Sequence, residues 1–181
     1  ERDRLQQGYF LQALQIRAGL LANIGGEGNL RVAQQQLLIL LDEKDTDGSE
    51  VSQQETPWRE LLKIRERLGD IEGARAAALT LIELPIIHDS TRLDALLYLA
   101  ATSTEGERER YNQQARDIAE GIGGRAKARV AYQEGMLALD EKRHKAALVL
   151  FDQALLGLDE EGRRSSARYR KAETLLKLGR A

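Results

Sequence analysis

No cysteine occurs anywhere in the 181 residues, so a disulfide framework and thiolate chemistry are both excluded, and the compartment stays open between cytoplasm and periplasm. Proline is limited to 2 residues and aromatics to 4%. β-Branched residues are also sparse, leaving a chain dominated by Leu, Ala, Gln, Glu, Arg and Lys, the good helix formers, and pointing to an all-α soluble protein. An excess of either charge is missing too: 27 Lys and Arg face 29 Asp and Glu, so no global field draws in nucleic acid or an anionic membrane. The longest apolar run, "LLILL" at Leu37 to Leu41, falls far short of the roughly 18 to 20 residues of a membrane span. No signal peptide appears. With 2 histidines and no nucleophile beside a base, enzymatic activity is not expected, and neither a cofactor nor a bound metal is called for.

What is present is a succession of helical segments cut by short turns. Helices are predicted at Asp3 to Ile24, Leu30 to Asp42, a helix capped by Thr56 with Pro57 at its first position, and Ile71 to Leu84 closed by Pro85,. Further helices follow at Ser90 to Thr102, Glu105 to Gly121, Arg125 to Glu141, His144 to Leu158 and Arg163 to Leu178. Paired in order, they form helix-turn-helix units at roughly 1–43, 56–86, 89–122, 125–159 and a half unit at 163–181.

An internal repeat unites these pairs. Ala33, Ala74 and Ala147 are preceded three residues earlier by Leu30, Ile71 and His144, and followed four later by Leu37, Ala78 and Phe151 and seven later by Leu40, Leu81 and Ala154. The first two alanines stand 41 apart and the next two 73, which is two units of about 37, and Gly135 to Ala172 adds another 37. In "EGMLALDEKRHKAALVLFDQAL", small residues at Gly135 and Ala147 allow two helices to approach, while Phe151 and Ala154 fill the space against the next unit,.

The fourth unit, with Gly135, Ala147, Phe151 and Ala154, and the second, with Trp58, Leu61, Gly69, Ala74 and Pro85 one residue early, resemble the tetratricopeptide (TPR) repeat family. The resemblance runs from about Asp3 to Gly179, with departures: Glu134 where a leucine is usual, Leu62 where a small residue is usual, Ala78 where an aromatic is usual, and Tyr111 and Ala115 one residue out of phase. It implies a right-handed α-solenoid of about four and a half units, longer than the family's usual repeat, as one domain. The unpaired last helix and a first residue other than Met lead us to expect a piece of a longer array with an apolar end face.

In that family the first helices line a concave wall that binds protein segments. Register places Arg59, Lys63, Tyr98, Arg129, Tyr132, Met136 and Tyr169 on it, with Tyr132 and Tyr169 one repeat of 37 apart. Tyrosines there offer broad amphipathic contact and Arg and Lys offer anchors for carboxylates; the competing reading is that the tyrosines pack between units. The implied function is a scaffold or adaptor module for a protein or peptide, or else a regulatory sensor domain controlling an attached effector. Self-association through open ends is a third possibility for partners, whereas a nucleic acid is not expected. The family's two-carboxylate clamp needs Lys and Asn on successive first helices, which this row does not supply.

Three further motifs have a plain alternative. "EKDTDGSE", Glu43 to Glu50, alternates oxygen ligands before a glycine but has Gln54 where a calcium loop needs a bidentate acid, and reads as an acidic inter-repeat loop. "GGEGN" at Gly25 to Asn29 is a helix C-cap and turn rather than a phosphate loop,. "GRRSSARYRK", Gly162 to Lys171, holds five basic residues behind "DEE" and is a solvated face, with an acidic-peptide contact or nucleic acid as the sharper readings.

Overall fold

The computed structural model of the chain describes residues 2–43, 54–159 and 161–179. Among them the regular structure is entirely helical: α1 (Arg2–Ile24), α2 (Glu27–Leu41), α3 (Glu55–Leu68), α4 (Ile71–Glu83), α5 (Asp89–Thr102), α6 (Glu105–Ile122), α7 (Gly124–Asp140), α8 (His144–Gly157) and α9 (Glu161–Lys177). The chain divides into two compact units, Glu1–Thr91 and Arg92–Ala181.

The repeat register explains which faces are buried. Ala33, Ala74 and Ala147 are all fully buried, as are the residues four and seven positions on, Leu37, Ala78 and Phe151, then Leu40, Leu81 and Ala154. Spacings of four and seven put each trio on one stripe, and a small residue at its head lets the neighbouring helix come close. The position three residues before the alanine does not follow: Leu30 is buried, but Ile71 is 56% exposed. It falls in the first turn of α4, where the chain is still leaving the connection from α3.

In the first unit, α1 packs on α2, α2 on α3 and α3 on α4. Leu11, Ala18 and Ala22 of α1 meet Leu30, Ala33, Leu37 and Leu40 of α2 and Leu61 and Ile64 of α3, with Trp58 and Leu68 at the edge. Arg67 of α3 reaches back to donate to the Ala22 carbonyl at 2.5 Å, satisfying an acceptor that the end of α1 leaves open. The α3–α4 turn is set by Gly69 at φ 71°, and Asp70 then caps α4 by accepting from the Gly73 N–H at 3.0 Å,. One expectation fails locally. α3 starts at Glu55 with Gln54 before it, so Thr56 is not the cap and Pro57 lies inside the first turn, where its missing N–H still costs nothing.

In the second unit, α6 packs on α7, α7 on α8 and α8 on α9. The α7–α8 pair is the closest. A Cβ on Gly135 would sit 2.8 Å from the Phe151 ring, and one on Gly157 would sit 2.7 Å from the Gly124 carbonyl oxygen. Gly124 and Glu161, which open α7 and α9, stand 37 residues apart, so the two helices are in repeat register. Gly135 is nevertheless buried and Ala172 exposed, because Phe151 of α8 covers the first and no described helix packs on the corresponding side of α9.

Candidate functional site

Helix α7 turns Ala131, Gly135 and Ala138 toward α8, and this fixes where its next stripe points. Arg129, Tyr132 and Met136, at spacings of three and four, share that stripe,. Arg129 pairs with Asp94 of α5. Tyr132 is half-buried, its ring centroid 6.0 Å from that of Phe151 with planes tilted by 55°, an ordinary favourable aromatic geometry. Met136 packs beside the same phenylalanine.

The stripe continues onto α9 through an arginine. Arg170 donates to Glu173 at 2.9 Å and its guanidinium carbon lies 5.7 Å from the centroid of the Tyr169 ring, within cation–π range. Its hydrogen bond to Glu173 is the main influence raising its pKa, with the Tyr132 hydroxyl adding to it. Arg170 thus lies against the Tyr169 ring and near enough to the Tyr132 hydroxyl for its charge to be felt there. Tyr169 remains 68% exposed. Tyr98 of α5 is half-buried, and its carbonyl accepts from the Thr102 hydroxyl at 2.9 Å.

Arg59 and Lys63 belong to the first unit, on α3. Arg59 faces Glu55 at 3.5 Å and Glu60 at 3.6 Å, while Lys63 holds Glu60 at 3.0 Å. Both cations thus have carboxylates of their own helix beside them, and a partner's carboxylate would have to displace these.

Two charged nodes were not legible as sites. Glu55 accepts from the His88 N–H at 2.8 Å, lies 2.7 Å from the His88 imidazole and accepts from the Thr91 hydroxyl at 2.5 Å. Burial by itself would raise its pKa, but these donors and the imidazole pull the carboxyl down to about 2,. His88, read from sequence as a loop residue, is one side of this staple. The second node is Arg116 of α6, held between Glu109 at 2.5 Å and Glu134 of α7. Burial works to lower the arginine's pKa and the two glutamates more than reverse it. Glu134, conspicuous in sequence for replacing a leucine, is there to meet this arginine. That substitution was the only signal available, since ion pairs between helices have no periodicity.

The basic run of α9 is largely paired: Arg168 with Glu161 at 3.5 Å, Lys171 with Asp152 at 2.5 Å, and Arg170 as above. Most of the "EKDTDGSE" motif lies outside the described residues. Among the described residues no group of three or more His, Cys, Asp or Glu side chains could hold a metal ion, and no helix is long and apolar enough to cross a membrane.

No protein-family model matches the sequence, and no curated protein matches it. The fold does have a counterpart. The crystal structure of a thermophilic TPR protein from Thermus thermophilus aligns with a TM-score of 0.60 over 92% of this chain and 84% of that one, at 20% sequence identity. The chain therefore has a TPR-type fold, an all-α array of helix-turn-helix repeats.

Proposed function

We propose that the chain is a protein-interaction module and that the α5–α7–α9 face of its second unit receives a segment of a partner protein. The observation that carries this reading is the Tyr132–Arg170–Tyr169 arrangement. It offers an aromatic ring 68% exposed to solvent, backed by a guanidinium whose charge is also felt by a second tyrosine one repeat away, with Met136 on the same stripe as that second tyrosine. A rigid aromatic of this kind contributes large contact area for little lost freedom, and interface hot spots are rich in Tyr and Arg. The fold supports the same reading, since repeat arrays present long continuous faces built from successive helices. Arg59 and Lys63 form a separate patch of the proposal on the first unit, where exchange of Glu60 for a partner carboxylate would release them.

The test uses Tyr169→Ala, which removes an exposed ring and should leave the helical circular dichroism and melting temperature unchanged. Affinity capture with quantitative mass spectrometry is expected to lose a defined protein selectively in this variant. Identical captures from the wild-type chain and the variant would contradict the assignment.

A further inference from the structure

Helix α1 is apolar on two opposite sides. At about 100° per residue, Leu11, Ala18 and Ala22 fall on the side packed against the first unit's core. Tyr9, Ala13, Ile16, Leu20 and Ile24 fall on the other. That second stripe is bare: Tyr9 is 69% exposed, Ile16 56%, Leu20 58% and Ile24 73%, with Phe10 at its margin 51% exposed. Together these side chains present about 600 Å² of apolar surface, at the upper end of what a soluble monomer leaves in one patch.

We propose that this stripe is a two-fold interface, with α1 lying antiparallel against α1 of a second copy of the chain. The first argument is charge. Between Gln6 and Ile24 the only ionised side chain is Arg17, and Arg17 is turned to α2, where Gln36 Oε1 accepts from its Nε and Nη1 at 3.1 Å in the amide orientation that satisfies both groups. Arg17 borders the stripe between Ile24 and Phe10, and the other polar neighbours, Gln6, Gln12 and Asn23, are neutral amides that both donate and accept,. A surface that must meet its own copy meets little like-charge repulsion when it carries one cation, held to its own α2, on an otherwise neutral border,.

The second argument is area. Two such faces fully covered would bury up to about 1,200 Å², the lower edge of stable specific interfaces. Their centre would hold tyrosine, phenylalanine and branched aliphatics, the composition of interface cores. The far end of the chain is a poorer mate. On α9 the exposed stripe of Tyr169, Ala172 and Leu176 is narrower and is bordered by Arg168 and Glu173, so head-to-tail pairing would bring charges against an apolar surface with nothing to meet them.

Sedimentation equilibrium of the whole chain is expected to give a dimer at concentrations on the order of tens of micromolar. Ile16→Glu and Leu20→Arg, both at exposed positions and checked for retained helicity, should each weaken it by at least about a hundredfold. Tyr169→Arg should leave it intact. Because the chain has no cysteine, Ile16→Cys near the centre of the stripe should oxidise to a covalent dimer, whereas Ile24→Cys at its end should not. A monomeric wild-type chain overturns the proposal, leaving the stripe to another segment or a different partner. So does a dimer that survives both charged variants, or an assembly that grows past two with concentration and is lost in Tyr169→Arg.

Discussion

The α3–α4 and α7–α8 hairpins are the same structure solved with the sizes exchanged. Gly69 and Lys142, 73 residues apart, occupy the same left-handed turn position at φ 71° and 60°. Each turn closes with the same bonds, Asp70 N–H to the Arg65 carbonyl at 2.9 Å in one and Arg143 N–H to the Ala138 carbonyl at 2.8 Å in the other. At that same offset, Leu62 corresponds to Gly135 and Ala78 to Phe151, and all four are buried. One hairpin puts the bulk on its first helix and the other on its second. Total volume across the contact is what packing constrains, so large-and-small can trade places where either change alone would leave a void or a clash.

The largest effect should come from breaking one side of this exchange. Phe151→Ala removes a fully buried ring and should cost about 3–5 kcal/mol in urea denaturation. Adding Gly135→Leu, which copies the first hairpin's solution, should recover about 1–2 kcal/mol of that loss; strictly additive penalties would show that the two positions do not compensate. Next comes Gly157→Ala, whose methyl meets backbone rather than a movable side chain and should cost about 1–3 kcal/mol by the same measurement.

The hairpins also differ in how their surroundings hold them, and pH separates the two. Glu55 links the start of α3 to His88 and Thr91, and its carboxyl titrates at about 2 against an ordinary 4.5. A depressed carboxylate contributes stability that is present above its unfolded value and is lost as pH falls toward the folded one. Glu55→Gln should therefore lower stability by about 1–2 kcal/mol at neutral pH, and the gap from wild type should close between pH 4.5 and about 2. A gap that stays constant over that range would mean the charge is not what matters. The smallest effect is expected at the turn, where Lys142→Gly relieves a left-handed lysine and should raise stability by less than about 1 kcal/mol.

This exchange also marks how far the sequence could be read. The alanines at 33, 74 and 147 and the residues four and seven beyond them disclosed the repeat, because burial on a helix imposes a spacing. Leu62, Ala78 and Glu134 stood out only as departures from the family pattern, and each is accounted for by something on another helix or at the equivalent position of another repeat. Arg170 could not be singled out from the basic run around it. Its setting is made by Glu173 and the Tyr169 ring, and polar contacts of this kind leave no periodic trace. The staple at Glu55 was hidden for a similar reason, since it depends on where the loop before α5 returns.

The face of α7 and α9 is where architecture would become function, and a photo-crosslinking residue placed at position 169 tests that most directly, with the same residue at Val149, 56% exposed on α8, as its control. The account predicts a discrete protein adduct from position 169 and none from position 149. Adducts of equal yield from both positions, or from neither, would contradict it.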